Sequence, residues 1–520
     1  MCSYNALNGV PTCADPYILQ TILREHWGWT NDDQYVTSDC DAIQNIYLPH
    51  GYTSTREEAV ADALKAGTDL DCGTYYPLHL PSAYSDGLFD ESVIDKAVMR
   101  LYSALIKLGY FDSASSTPYR SLGFKDVSTP ASEALALKAA EEGIVLLKND
   151  GTLPLSLPTD KVTIIAMIGG LANSTTQMQG NYYGVAPYLH SPLYAAEQLP
   201  NVQVLYAPGV GGQGDPTTNN WEFTLAAASA ADIIIVADGL SIGDEAEGSD
   251  RYTIAWTGGQ IDQLSGLAEM GKPTILLQMG DQLDNTPFLS NPNISAIVWA
   301  GYPGQDGGTA LMNIVTGKVA PAGRLPVTQY PAEYVRQVPM TDMNLRPNTT
   351  SGNPGRTYKW FGGAVQPFGY GLHYTNFSLS LAKQPAASYD IAALVKGCSE
   401  KYLDLCPFGT FEVNVTNMGD VASDFVALGF IAGEYGPAPY PIKQLVAYER
   451  VFGVEAGETV TANLSVNLGG LARYDDQGNA VLFPGSYEML VDVPAGLTVG
   501  FILTGAEVVL DHWPERPSSG

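Results

Sequence analysis

Apolar residues recur at helical spacing over 17–27 (Tyr17, Leu19, Ile22, Leu23, Trp27) and again over 90–108. In the second stretch Val93, Ile94, Ala97, Val98, Leu101, Leu105 and Ile106 fall on one helical face. Between them the pattern predicts a short strand at 34–38 and a helix at 54–66. That helix is expected to open on Ser54 as N-cap, with Glu57 at the capping-box position and Glu58 beside it. Thr68-Asp69-Leu70 reads as another short strand leading to Cys72. Residues 1–112 thus alternate strand and helix as about three βα units of a partial barrel.

Residues 113–132 are rich in Ser, Thr and Pro and read as a linker. Beyond it the strands Val162–Ile168, Val202–Tyr206, Ile233–Ala237, Thr274–Gln278 and Ala296–Ala300 are apolar on both faces. Helical stretches near 131–143, 221–230, 259–270 and 307–316 separate them. Continuous apolar strands alternating with helices predict a mostly parallel sheet covered on both sides, with sites at the carboxyl ends of its strands. This α/β domain is expected over 133–345, followed by a connecting segment over 346–374 rich in Pro, Asn and Gly. From about 375 the period changes to two, as in Phe411–Val415 and Leu482–Val491, which predicts a small β-sandwich over 375–514. The fold class is therefore multidomain, α/β followed by β. No internal repeat or low-complexity tract is evident.

Two acidic motifs stand out against this frame. Tyr35-Val36-Thr37-Ser38-Asp39-Cys40-Asp41 reads as a strand that ends on a carboxylate. Asp244-Glu245-Ala246-Glu247-Gly248-Ser249-Asp250-Arg251 follows the apolar strand at 233–237. A retaining glycosidase needs two such groups, an ionised nucleophile and an acid that keeps its proton until the leaving oxygen needs it. Asp39 sits where barrel enzymes place chemistry; the competing reading is a helix cap or a salt-bridged surface Asp. Asp41 reads as a cap or a supporting group. Crowding of Glu247 with Glu245 and Asp244 opposes their joint ionisation, which suits a general acid; the competing reading is a solvated acidic loop.

Composition narrows the classes. With 45% hydrophobic and 16% charged residues, extensive disorder is excluded. A net charge of −29 without a Lys/Arg run argues against a nucleic-acid partner. No apolar run reaches membrane-spanning length, so no membrane partner is expected. Cys2/Cys13, Cys40/Cys72 and Cys398/Cys406 could each close a local loop in an oxidising compartment; the alternative is buried free thiols. No C-x-x-C pair and no histidine pair at ligand spacing occurs among His26, His50, His79, His190, His373 and His512, so neither a metal nor another cofactor is expected. Sequons at Asn173, Asn293, Asn348, Asn376, Asn414 and Asn463 favour a secreted, N-glycosylated chain. Met1-Cys2-Ser3-Tyr4-Asn5 has neither a basic start nor an apolar core of a signal peptide, so an N-terminal loss is expected.

Two motifs compete with the carboxylates. Gly239-Leu240-Ser241-Ile242-Gly243 matches a serine-hydrolase elbow, but an acidic loop follows where the elbow needs a helix. Gly209-Val210-Gly211-Gly212-Gln213-Gly214 matches a dinucleotide fingerprint, but Pro208 and the run 215–220 keep the next helix away. Tyr75, Tyr76, Tyr182, Tyr183 and Trp299 are aromatics that could stack on sugar rings, or core residues.

At these motifs the chain resembles glycoside hydrolase family 3, and within it the fungal-type β-xylosidases. The resemblance runs through nearly the whole chain. It is carried by Met1-Cys2-Ser3-Tyr4-Asn5, Ser38-Asp39-Cys40-Asp41, Gly67-Thr68-Asp69-Leu70-Asp71-Cys72-Gly73, Glu245-Ala246-Glu247-Gly248-Ser249-Asp250-Arg251, Gly323-Arg324-Leu325-Pro326-Val327-Thr328 and Pro367-Phe368-Gly369-Tyr370-Gly371-Leu372. It implies a (β/α)8-type barrel, an α/β sandwich and a fibronectin-III-like domain, and a retaining mechanism without metal. Asp39 matches the family's nucleophile, Glu247 its acid/base, and Tyr4 the tyrosine beside the nucleophile in the glycone pocket. Glu245 looks like an extra carboxylate of the xylosidase branch that binds sugar hydroxyls. Many β-glucosidases of the family carry Trp where this chain has Cys40; a cysteine there, tied to Cys72, suits the xylosidase branch. Xylo-oligosaccharides are the implied substrates.

One departure shapes the expectation. An eight-unit barrel takes roughly 250 residues, and about 110 precede the linker. The family's glycone-gripping Asp, Arg and Lys-His residues, carried by earlier units, have no counterpart here. An N-terminally truncated enzyme with an open barrel edge and poor solubility is therefore expected. The favoured reading is an exo-acting β-xylosidase or its catalytically impaired fragment. A β-glucosidase or α-arabinofuranosidase of the same family, a non-catalytic carbohydrate-binding remnant and a serine hydrolase compete with it.

Overall fold

Extended segments of only a few residues, each followed by helix, build the first part of the chain. The computed structural model describes residues 1–210 and 221–516. The chain divides into two units: Met1–Val127 joined by the segment that starts at His512, and Ser128–Asp511.

In the first unit Cys2 bridges Ser38, and Thr37 bridges Leu70, all in parallel. After Cys2 come a hairpin of β1 (Ala6–Leu7) and β2 (Val10–Pro11) and the helix Tyr17–His26. After Ser38 come the helices Ala42–Tyr47 and Arg56–Ala66; after Leu70 come Tyr75–Ser85 and Glu91–Lys107. The strand expected at 34–38 is therefore much shorter. Its backbone is diverted to side chains: Gln34 O accepts from Arg24 at 3.0 Å and the Val36 amide donates to Asp69 at 2.9 Å. The cap of the next helix also moves by one residue, to Thr55. The Thr55 hydroxyl takes the Glu58 amide at 3.1 Å, and the Glu58 carboxylate takes the amides of both Ser54 and Thr55. The apolar stripe of Glu91–Lys107 is narrower than its spacing implied. Ala97 and Ala104 are buried, whereas Val98 and Ile106 lie off the stripe and are exposed.

The second unit begins within the expected linker. Turns at Ala114–Ser116, Pro118–Ser121 and Phe124–Asp126 occupy 113–127, and the helix Pro130–Gly143 starts on the Thr129 cap. Six strands follow: β3 (Val145–Asn149), β4 (Thr163–Ile168), β5 (Val202–Ala207), β6 (Ile233–Gly239), β7 (Thr274–Met279) and β8 (Ala296–Gly301). They form one sheet in the order β3-β8-β7-β6-β4-β5, parallel except for β3, which runs antiparallel to β8 at the edge. Every residue of β6 and of β7 is buried. That accounts for their predominantly apolar sequence, since each face packs on its own core cluster.

Thirteen-residue β12 (Ser423–Tyr435) is the longest strand of the sandwich. With β10 (Ser388–Asp390), β13 (Gln444–Val454), β17 (Gly485–Val491) and β18 (Leu497–Thr504) it makes one sheet, ordered β10-β18-β17-β12-β13. The facing sheet is β14-β11-β9, from β9 (Phe377–Leu381), β11 (Pro407–Asn417) and β14 (Thr459–Asn467). Alternate residues such as Phe411, Val413 and Val415 fill the core between them. A small sheet of β15 (Arg473–Tyr474), β16 (Ala480–Leu482) and β19 (Val508–Asp511) completes it. The sandwich expected to reach 514 thus ends at Asp511. Trp513 instead packs edge-on against His26 and Trp27, and Pro514 O accepts from the Tyr17 hydroxyl at 2.7 Å.

Candidate active site

Asp39 follows directly on the bridged residues Thr37 and Ser38, and backbone bonds hold it from both sides. Cys2 N donates to Thr37 O at 3.0 Å, and Asp39 N donates to Cys2 O at 2.8 Å. On the other flank Ser38 N donates to Leu70 O and Asp41 N to Cys72 O, both at 2.8 Å. The Cys40–Cys72 disulfide, with Cα atoms 4.4 Å apart, ties the same two segments together. One Asp39 oxygen accepts the Cys40 amide at 2.8 Å, which sets the carboxylate's orientation. Asp41 stands at the N-cap position of Ala42–Tyr47 in the left-handed region (φ 63°), with no capping bond from its side chain. Tyr4 lies two residues beyond Cys2, which the Cys2–Cys13 disulfide fixes; its ring is partly exposed and its carbonyl lies 2.6 Å from His50 Nε2.

Beneath Asp39 lies a buried ion triad that the hydrophobic pattern does not register. Asp69, only 2% exposed at its side chain, pairs with Arg24 at 3.1 Å and Arg100 at 2.9 Å. Burial pushes the Arg24 guanidinium below its usual range, and the neighbouring Arg100 adds to this. Because Asp69 also takes the Val36 amide, the triad fixes the segment that leads into Asp39.

Glu247 sits in the second unit on a short hairpin beyond the carboxyl end of β6. Ala246 and Ser249 exchange backbone hydrogen bonds of 3.3 and 3.0 Å, leaving Glu247-Gly248 as the turn. Gly248 has φ +75°, a conformation that L residues adopt at a cost, so glycine suits this position. Before the hairpin, Ser241 donates its hydroxyl to Asp244 at 2.9 Å. No helix follows Ser241 until Gly258, so the serine-elbow geometry is not formed. A cavity of about 500 Å³ opens beside Glu247, lined by Asn181, Glu245, Asp281, Trp299 and Tyr302 among others. Asn181 follows β4, and the others come from the carboxyl-end side of β6, β7 and β8.

Glu245 is not a free carboxylate in an acidic cluster. Its Oε1 accepts the Tyr302 hydroxyl at 2.6 Å and the Asp281 amide at 3.0 Å; its Oε2 lies 2.7 Å from Arg251 Nε. The expected crowding is thus relieved by Arg251. Burial, with the Glu245 carboxylate adding to it, pushes Tyr302 ionisation well up, so its hydroxyl stays a donor. Tyr302 was open to sequence reasoning through its place just past a predicted strand end. Its pairing with Glu245, far away in sequence, was not. At the foot of the loop, burial raises Asp238 to about 6; its carboxylate takes the Gln260 amide at 2.7 Å.

The remaining candidates separate cleanly. Tyr76 is buried and its hydroxyl donates to Thr68 O at 2.7 Å, so it is a core residue and not a sugar platform. Tyr75 packs edge-on against His79. Tyr182 and Tyr183 are exposed. Cys398 and Cys406 form the third disulfide, and no free cysteine remains. Asn173, Asn293, Asn376 and Asn463 are exposed, and Asn348 and Asn414 half-buried. The dinucleotide-like run extends over 211–214, outside the described residues. Among the described residues, no group of His, Cys, Asp or Glu could hold a metal, and no helix is long and apolar enough to cross a membrane.

Comparisons with known proteins give one family throughout. Residues 1–104 match the glycosyl hydrolase family 3 N-terminal domain, residues 144–374 its C-terminal domain, and residues 426–493 a fibronectin type III-like domain. A probable exo-1,4-beta-xylosidase of Aspergillus fumigatus is 51% identical over 524 residues, covering 100% of this chain and 67% of that protein. A family 3 exo-beta-xylosidase solved with a xylobiose aziridine probe superposes with a TM-score of 0.95 at 46% identity, over 100% of this chain and 67% of its own. A beta-glucosidase from Listeria innocua in complex with glucose shares the fold at a TM-score of 0.80 and 22% identity, over 96% and 67% of the two chains. The chain spans about two thirds of the length of these proteins.

Proposed function

Since this chain belongs to glycoside hydrolase family 3, we propose that it is an exo-acting retaining β-xylosidase that releases xylose from the non-reducing ends of xylo-oligosaccharides. The observation that carries this reading is the similarity, over the whole of this chain and about two thirds of theirs, to exo-xylosidases at 46–51% identity. Asp39 is the nucleophile and Glu247 the acid/base. An Asp39 oxygen attacks the anomeric carbon as the glycosidic C–O bond breaks and Glu247 gives its proton to the departing oxygen. The product is a xylosyl ester on Asp39. Glu247, now a carboxylate, takes a proton from water; the water oxygen attacks the anomeric carbon and the ester C–O bond breaks, which restores both groups.

Two features support these roles. Asp39 is held by backbone bonds on either flank, which suits a nucleophile that must not move as the bond forms. Glu247 is exposed on a two-residue turn beside a cavity, where a leaving group can reach it. Tyr4, on the segment bridged to Ser38, lines the glycone side. Three disulfides agree with a secreted chain, and the sequons are its N-glycosylation sites. The test is hydrolysis of an aryl β-xyloside by the 520-residue chain beside Asp39→Asn and Glu247→Ala. Loss of turnover in Asp39→Asn, with a trapped xylosyl ester absent from that variant, is expected. Turnover undiminished in Asp39→Asn, or a preference for aryl β-glucosides or α-arabinofuranosides, would overturn it.

A further inference from the structure

We infer that Tyr302 and Arg251 are positioning residues for the acid/base, and that Glu245 is the post they grip, not a ligand of the sugar. This deepens the proposal above and rests on its reading of Glu247. Glu245 and Arg251 flank the Glu247 turn on its two sides, and their ion pair of 2.7 Å closes the loop at its neck. Residues 246–250 are all that lies between them, with Glu247 at the tip.

The neck is fastened to the sheet at three further points. Tyr302, just past β8, donates to Glu245 at 2.6 Å; the Asp281 amide, just past β7, donates at 3.0 Å; and Arg251 Nη1 donates to Gln282 O at 3.3 Å. Both Glu245 oxygens are therefore engaged by the protein. The Glu245 and Arg251 side chains are only 17% and 10% exposed, so the pair is shielded enough to hold its geometry. Tyr302 is itself pressed into place. Gly180, at φ +70°, brings its backbone so near that a Cβ there would stand 3.1 Å from the Tyr302 ring. A carboxylate placed two residues from the acid, and held this firmly, fixes where the proton is delivered. General-acid efficiency depends on that placement.

A leaving-group comparison tests the assignment on the whole chain. Xylobiose needs its departing oxygen protonated; 2,4-dinitrophenyl β-xyloside does not. Tyr302→Phe removes one hydroxyl and leaves Glu245 its Arg251 and Asp281 partners, so the variant should fold. It should lower kcat/KM on xylobiose on the order of 10- to 100-fold, with KM little changed and kcat/KM on the activated xyloside nearly intact. Arg251→Gln should show the same selectivity. Equal losses on both substrates, or a rise in KM for both, would overturn the inference in favour of sugar binding by Glu245. Glu247→Ala serves as the reference: if it shows no leaving-group selectivity, the acid/base reading fails instead. Hydrogen exchange supplies a readout independent of turnover. The Ala246 and Ser249 amides should exchange faster in both variants, and unchanged protection there would refute the clamp.

Discussion

The Val36 amide donates to the Asp69 carboxylate across 2.9 Å, three residues before Asp39. A single buried carboxylate thus joins Arg24, Arg100 and the backbone of the segment that presents the candidate nucleophile. Asp69→Ala would leave two guanidinium groups and an amide without their acceptor. Removing one partner of a buried ion pair costs about 3–5 kcal/mol, and a loss of that size is expected in urea unfolding of the first unit. A variant within experimental error of the parent would show that water replaces the carboxylate freely.

Asp238 ties stability to pH. Its carboxyl titrates near 3.8 when unfolded and is raised to about 6 in the fold, chiefly by burial. Between those values the native state holds a proton that the unfolded state has released. Its contribution to stability is therefore complete below about 4 and declines as pH rises through about 6. Two pH units of separation correspond to roughly 3 kcal/mol. Asp238→Asn keeps the 2.7 Å acceptor for Gln260 and should remove this slope. Denaturant midpoints of both proteins from pH 4 to pH 7 would decide it: curves that stay parallel would show that Asp238 does not titrate in this range.

The Cys40–Cys72 link closes a loop with a sequence separation of 32. The chain-entropy relation gives about 3–4 kcal/mol for such a loop. Cys40→Ser with Cys72→Ser should lower stability by that order and slow turnover, since Asp39 is the residue before Cys40. Thermal unfolding under non-reducing conditions, together with aryl xyloside hydrolysis, checks both parts.

Capping of Arg56–Ala66 should follow the observed geometry. Thr55→Ala is expected to cost about 1 kcal/mol, whereas Ser54→Ala should cost much less, because the Ser54 side chain makes no capping bond. Equal effects would place the helix start one residue earlier.

The central strands were legible because two cores press on them. Ile233–Gly239 and Thr274–Met279 have no polar face to interrupt the apolar run, and their limits shift by only a residue or two. Val145–Asn149 was hidden for the opposite reason. Its apolar start continues the pattern of the helix Pro130–Gly143, and nothing local marks the change to an antiparallel edge strand. The 34–38 strand was overread because at its start the Gln34 carbonyl and the Val36 amide go to the side chains of Arg24 and Asp69, which no periodicity announces.

The candidate site was legible to the same degree. Asp39 and Glu247 could be picked out as carboxylates following strands. Glu245, expected from the sequence to bind sugar hydroxyls, lines the cavity and also pairs with Tyr302 and Arg251. Tyr302 is 57 positions away in sequence, and only the order of β6, β7 and β8 in the sheet brings it near. Such pairings belong to topology and leave no mark on local spacing.

A loop fastened at its neck can be treated as an exchangeable cassette. Glu245 and Arg251 fasten residues 246–250 to the ends of β7 and β8, so changes of length or sequence at the tip are expected to leave those strand ends as they are. Reach can then be tuned separately from architecture: one residue inserted beyond Glu247 would carry the carboxyl group farther out while the hinge of the cassette, and the domain below it, kept their register.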